Sequence, residues 1–181
     1  MNFLKYNIKN EKNLLKFLNN NMHYGFVYRN KIYVQDENFG KNMDKFYKMR
    51  LKDNLIKSKY GVCWDFCEFE REFFDSQNIE CNCYFIESFK NDIFGPTHSF
   101  CIYKINGYYF WFEFAWEKYQ GIHKYDTLNS ALKDIRQKFE NFYNNKYQIV
   151  FHKLSKIYKR LNSKEYIDFA LSSPTVRIDE K

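Results

Sequence analysis

The sequence predicts an α+β fold in which one central helix packs against an antiparallel sheet. Three observations indicate this class: a mostly helical N-terminal half, an amphipathic segment that begins at Cys63, and a series of short apolar strands from residue 81 onward. Two of those strands are joined by Asn106-Gly107. Asn-Gly between two apolar runs is the strongest short-range signal of a β-hairpin.

The elements of the first half follow from hydrophobic spacing. Residues 11–20 place their large apolar side chains on one side of a short helix, and residues 24–34 are typical of a hairpin that turns at 29–31. Apolar residues recur loosely at helical spacing over 41–57, which predicts a further helix. After Gly61 the helical spacing is tighter and predicts an amphipathic helix carrying Cys63, Phe66, Cys67, Glu70, Phe73 and Phe74 on one side.

The second half is predicted to form the sheet and two more helices. Strands are expected at 81–87, 97–105 and 108–116, followed by a helix at 128–142, a strand at 147–152 and a helix at 163–171. Asn162 and Glu165 form the pattern of a capping box at the start of that last helix.

Composition places the chain among folding globular proteins. Hydrophobic residues make up 45% and aromatic residues 22% of its 181 residues, which is enough for a core and excludes an intrinsically disordered chain. Two prolines and six glycines leave no linker-like stretch. The sequence therefore predicts a single domain over 1–181.

Charge and cysteine content indicate which partners and which cellular compartment to expect. The net charge is +7, but basic and acidic residues are interspersed without a run of like charge, so no nucleic-acid partner is expected. The first ten residues lack the apolar stretch of a signal peptide, and no segment approaches a membrane span, so a cytoplasmic protein without a membrane partner is predicted. In that reducing compartment the five cysteines are expected to be thiols.

Three side chains could form a catalytic triad. Cys63 begins a helix, where free backbone amides and the helix dipole favour a thiolate. His98 begins the first hairpin strand and could act as its base. A two-residue turn at 106–107 makes His98 face Ala115, and Glu113 is then a diagonal neighbour able to hold the imidazole.

The motifs around these residues resemble the transglutaminase-like superfamily, including small bacterial members. The resemblance covers about 60–120 and rests on Gly61-Val62-Cys63-Trp64-Asp65-Phe66, on Thr97-His98-Ser99-Phe100, and on the run from Tyr109 to Trp116. The order of the motifs and the fifteen-residue step from His98 to Glu113 match the family pattern. Glu113 departs from it, because the family usually has Asp at this point.

The resemblance implies a papain-like architecture and thiol-dependent acyl transfer without a cofactor, with Cys63, His98 and Glu113 as the triad. The implied substrate is a peptide or another amide-bearing molecule, a protein among them. The Cys63 backbone N–H is the expected oxyanion donor, and Tyr24 and Asn54 are candidates for a second. Trp64, Trp111 and Trp116 are predicted to wall the substrate groove, with burial in an aromatic core as the equal alternative.

Two other functions remain open from the sequence. The chain could be a non-catalytic binding module that keeps the fold. It could also be a structural zinc protein using Cys63, Cys67, Cys81, Cys83 and His98, although the cysteine spacings are not those of the usual zinc knuckle. Asp65 is expected to serve the helix N-terminus and Cys67 the core. His23, His123 and His152 have no partner that the sequence identifies.

Overall fold

The computed structural model describes residues 3–144 and 146–179. Its helices are α1 (Glu11–Asn21), α2 (Phe39–Phe46), α3 (Asp53–Ser58), α4 (Cys63–Ser76), α5 (Leu128–Phe142) and α6 (Ser163–Leu171). Its strands are β1 (His23–Tyr24), β2 (Phe26–Tyr28), β3 (Lys31–Tyr33), β4 (Tyr60–Gly61), β5 (Glu80–Lys90), β6 (Ile93–Phe94), β7 (His98–Ile105), β8 (Tyr108–Glu113), β9 (Gly121–Tyr125), β10 (Gln148–Leu154) and β11 (Thr175–Val176). The predicted α+β class is confirmed.

The main sheet is antiparallel and covered on both faces. Its strands run in the order β11-β10-β5-β7-β8-β9, and β6 is added beside β5. The central helix α4 packs on one face against β5 and β7, and α5 packs on the other against β8 and β9. Successive side chains of a strand point to opposite faces. Cys83 and Phe85 accordingly join the core beneath α4, whereas Tyr84 and Ile86 join the core beneath α5.

The hairpin of β7 and β8 has the predicted turn and register. Ile105 pairs with Tyr108, and both turn residues have positive φ, 51° at Asn106 and 84° at Gly107, as a type I′ turn requires. The pairing runs up to Cys101 and Phe112. The predicted facing of His98 and Ala115 is wrong, because β8 ends at Glu113, where the chain turns away toward β9.

The predicted helix over 41–57 is also wrong. It is two helices, α2 and α3, separated by an irregular segment around Arg50. The backbone N–H of Arg50 donates to the buried Asp65 carboxylate, and the neighbouring Lys48 forms an isolated bridge with Asn162. These long-range hydrogen bonds outweigh a helical preference that was weak from the start.

The other predicted elements are present. The helices at 11–20, 128–142 and 163–171 appear as α1, α5 and α6, and Asn162 and Glu165 form the expected capping box. The hairpin over 24–34 is β2 and β3, with positive φ at Arg29 and Asn30. Within the described ranges, no helix has the length and apolar character needed to cross a membrane.

Candidate active site

Cys63 is the first residue of α4, and the turn before it is tightly built. Gly61 leaves no room for a side chain, because an added Cβ would lie 2.6 Å from a methyl carbon of Leu55. Asp65 accepts a hydrogen bond from the Val62 backbone N–H at 2.8 Å and another from the Tyr47 hydroxyl at 2.9 Å. Burial raises the pKa of Asp65 to about 6, and these hydrogen bonds oppose the rise. Asp65 therefore organises the helix start, as the sequence indicated.

His98 and Glu113 meet at one end of the interior strands β7 and β8, next to this helix start. His98 is the first residue of β7 and Glu113 the last of β8, and both side chains are buried. The Nε2 atom of His98 lies 2.8 Å from Oε2 of Glu113. His98 also forms a side-chain hydrogen bond with Cys63. Because Nε2 is used by Glu113, the nitrogen left for the thiol is Nδ1.

The charge state of His98 is set by these two neighbours. Burial alone would lower the pKa of the imidazole, but the Glu113 carboxylate and the hydrogen bonds to Cys63 and Glu113 raise it to about 10. The imidazole is therefore protonated at neutral pH. A protonated imidazole beside a thiol at a helix N-terminus favours the thiolate form of that thiol.

Glu113 is fixed by more than His98. Its Oε2 atom accepts a hydrogen bond from the Trp111 indole N–H at 3.2 Å, and its Oε1 accepts one from the Trp116 backbone N–H at 2.7 Å. The Glu side chain is one methylene longer than Asp, and both of its carboxylate oxygens are nevertheless hydrogen-bonded here. A carboxylate held this way can orient an imidazole without rotating away from it.

Tyr24 lies directly against Cys63. Strand β1 pairs in parallel with β4, which sets Tyr24 beside Gly61, two residues before Cys63. The Tyr24 hydroxyl hydrogen-bonds with the thiol and with the backbone N–H of Cys63, and burial is the largest of the causes that raise its pKa well above the usual value. Of the two predicted oxyanion donors, Tyr24 is therefore adjacent to the site.

The match to known families agrees with this geometry. The family model described as a transglutaminase-like domain matches residues 4–140. The chain belongs to this transglutaminase-like family. No curated protein and no solved structure matches the chain. The matched region of this transglutaminase-like chain includes α4, β7 and β8, which carry the three candidate catalytic residues.

Asn54, the other predicted oxyanion donor, lies elsewhere. It is exposed near the start of α3 and lines a separate cleft with Lys52 and Arg160. Neither of the two clefts that Tyr24 lines includes Asn54, so Asn54 is not retained as the second oxyanion donor.

The three tryptophans have different positions. Trp64 is 5% exposed and stacks on Tyr166 with ring centroids 4.1 Å apart, so it belongs to the core. Trp111 is fully buried beneath α5, where its indole supports Glu113. The predictions that Trp64 and Trp111 wall the groove are therefore wrong, because each follows the inward-facing period of its element. Trp116 lines a cleft, and its ring lies 5.2 Å from that of His98.

Glu70 is a nearby acid to which the sequence gave no role. It is 3% exposed, and its pKa is raised well above the usual value by burial and by the charge of Glu113. Glu70 is therefore a buried acid close enough to Glu113 for the two charges to interact. Its position on the apolar stripe of α4, two turns after Cys63, was the available signal.

Three of the remaining four cysteines belong to the core. Cys67, Cys83 and Cys101 are buried, and Cys83 accepts a hydrogen bond from Nε of Arg71 at 2.9 Å. All five cysteines are free thiols. Among the residues that the structure describes, no three His, Cys, Asp or Glu side chains are grouped so as to hold a metal ion.

Proposed function

We propose that this chain is a thiol-dependent acyl-transfer enzyme that uses a Cys63-His98-Glu113 triad on an amide substrate. It would act as a cysteine peptidase or amidase, or as a transglutaminase-like transferase. The proposal rests on one observation. The same buried imidazole, that of His98, lies 2.8 Å from Glu113 and also interacts with the Cys63 thiol. Family membership supports the same class of chemistry.

Acylation begins with the Cys63 thiolate. Its sulfur attacks the amide carbonyl carbon, a C–S bond forms, and the carbonyl oxygen takes up negative charge. The tetrahedral intermediate collapses when the C–N bond breaks, and the His98 imidazolium gives its proton to the departing amine. Glu113 keeps the imidazole oriented throughout.

Deacylation uses the same groups in reverse roles. Water or a second amine attacks the thioester, and the neutral His98 imidazole removes the proton of the attacking group. The C–S bond breaks and the thiolate is regenerated beside the imidazolium. Water as the acceptor gives hydrolysis, whereas an amine gives transfer.

The developing oxyanion would bind between two donors. The backbone N–H of Cys63 is one, and the Tyr24 hydroxyl is the second. The contacts of Tyr24 with both the thiol and that N–H support this role. A substrate oxygen would take the place that the Tyr24 hydroxyl occupies against the Cys63 N–H and would then accept from both groups.

Alkylation by iodoacetamide at pH 6.5, read by the mass of each cysteine peptide, tests the proposal. The expected result is fast labelling at Cys63, abolished in Cys63→Ala and preserved in the matched control Cys81→Ala, because Cys81 is a partly exposed cysteine. Labelling of Cys63 no faster than that of Cys81 would favour the non-catalytic binding module.

A further inference from the structure

A cleft of about 670 Å³ opens beside His98 and is walled by aromatic rings. We call it the aromatic cleft and define it by Trp116, Phe139, Phe142 and Tyr143. The Trp116 ring contacts Phe142 edge to face at 5.4 Å and Phe139 at 5.9 Å. These contacts hold the rings in place, yet Phe142 remains 42% exposed toward solvent. The cleft is thus a supported aromatic surface that is partly open to solvent.

The aromatic cleft lies on the imidazole side of the triad. His98 lines it. A second cleft of about 500 Å³, which includes Asn19, His23 and Gln120, is not lined by His98. The two clefts share Tyr24, the side chain that contacts Cys63. Tyr24 therefore borders both clefts next to the thiol, whereas the imidazole lines only the aromatic cleft.

Acid–base chemistry indicates which component of the reaction lies on which side of the thiol. The imidazole must reach the nitrogen of the departing amine, and by microscopic reversibility it must reach the same position when an amine attacks. The amine component of the reaction therefore lies on the imidazole side of the thiol. The acyl component lies on the other side.

We propose that the aromatic cleft binds the amine component and selects amines that carry an aromatic side chain, such as a peptide that begins with Phe, Tyr or Trp. This inference rests on the proposed function and specifies its substrate. Edge-to-face and stacked contacts with Trp116 and Phe142 would hold the incoming ring. The amine nitrogen would then be near Nδ1 of His98, and the size of the cleft is in the range of ligand sites.

Partitioning of an acetyl-enzyme measures this selectivity. p-Nitrophenyl acetate acetylates Cys63 when a C–S bond forms and the C–O bond to p-nitrophenolate breaks. The acetyl group is then taken by water, which gives acetate, or by an added amine, which gives an acetamide and returns the amine proton to solvent through His98. Phenylalaninamide and alaninamide are compared, and the Cys63→Ala protein gives the uncatalysed background. The ratio of acetamide to acetate does not depend on the rate of acylation.

The expected ratio is about ten- to a hundredfold higher for phenylalaninamide, because burial of a benzyl group contributes a factor of that size. Phe142→Ala should reduce this preference about three- to tenfold. Tyr158→Ala, which removes a ring that is 84% exposed beside a different cleft, should leave it unchanged.

The outcomes separate the two proposals. A Cys63-dependent burst of p-nitrophenolate with equal partitioning to the two amines would overturn the aromatic selectivity and leave the acyl-transfer function standing. No burst above the Cys63→Ala background would overturn the acyl-transfer function and the inference with it. The comparison of amines in the unmodified protein decides the question even if Phe142→Ala does not fold.

Discussion

The part of the chain that the structure describes contains two histidine–glutamate pairs that have a buried imidazole and the same N–O distance. His98 lies 2.8 Å from Glu113, and His152 lies 2.8 Å from Glu87. They differ in the second ring nitrogen. The one in His98 is directed to the Cys63 thiol, whereas Nδ1 of His152 is 3.0 Å from the Ser173 carbonyl oxygen.

Under the proposed function, this difference separates a reactive imidazole from a structural one. The second nitrogen of His98 contacts a group that can exchange a proton, so the ring can serve as acid and base. Both nitrogens of His152 are occupied by acceptors of the fold, so that ring joins β10, β5 and the segment after α6. A histidine–carboxylate pair therefore indicates catalysis only when the remaining nitrogen faces a nucleophile.

Removal of the two imidazoles should produce the largest contrast. His98→Ala is expected to lower the rate of acetylation by p-nitrophenyl acetate about 10³-fold, because the group that keeps the thiol ionised is lost. His152→Ala should leave the rate within about threefold, since it does not touch the thiol. The burst of p-nitrophenolate in stopped flow measures both. Equal loss in the two variants would remove the distinction between the pairs.

Substitution of the two carboxylates should give the same contrast in acetylation rate, with a smaller loss than removal of the imidazoles. Glu113→Gln keeps the shape of the side chain but removes the charge that favours the imidazolium, so a loss of about 10²-fold in the same rate is expected. Glu87→Gln is the matched control and should have little effect. An unchanged rate in Glu113→Gln would mean that the acid does not assist His98.

We expect the His152 pair to contribute to the free energy of unfolding, although it does not contribute to the acetylation rate. His152 is buried against Phe85 and joins two segments distant in sequence, so His152→Ala should lower the free energy of unfolding by about 2 kcal/mol. Urea denaturation measures this change. His23→Ala, at an exposed position, should stay within about 0.5 kcal/mol. A loss in His152→Ala no greater than in His23→Ala would contradict the structural role.

The sequence predicted the elements whose signals are local. Asn106-Gly107 set the hairpin register, the apolar spacing after Gly61 placed Cys63 at a helix start, and Asn162 with Glu165 marked the start of α6. Each of these depends on residues within a few positions of one another. Side-chain spacing and turn chemistry are sufficient to specify such features.

The features that the sequence missed depend on distant residues. The break between α2 and α3 follows from hydrogen bonds to Asp65. The sequence could name Tyr24 only as one of two candidate donors, because its place beside Gly61 follows from the parallel pairing of β1 with β4. Trp111 was predicted to wall the groove because aromatic walls exclude water and position a substrate, with burial in an aromatic core as the equal alternative. Its face is decided by α5, which packs on the side of the sheet away from α4. Spacing along one strand cannot show which helix will cover it.

The pH dependence of Cys63 alkylation tests the central claim most directly. The imidazolium of His98, whose pKa is raised to about 10, keeps its charge beside the thiol from pH 6 to 8 and loses it only as the pH rises through about 10. The alkylation rate of Cys63 in the unmodified protein should therefore be nearly flat between pH 6 and 8. In His98→Gln it should rise about tenfold per unit, as for an ordinary thiol with a pKa near 8.5. The same steep rise in the unmodified protein would contradict the thiolate–imidazolium pair.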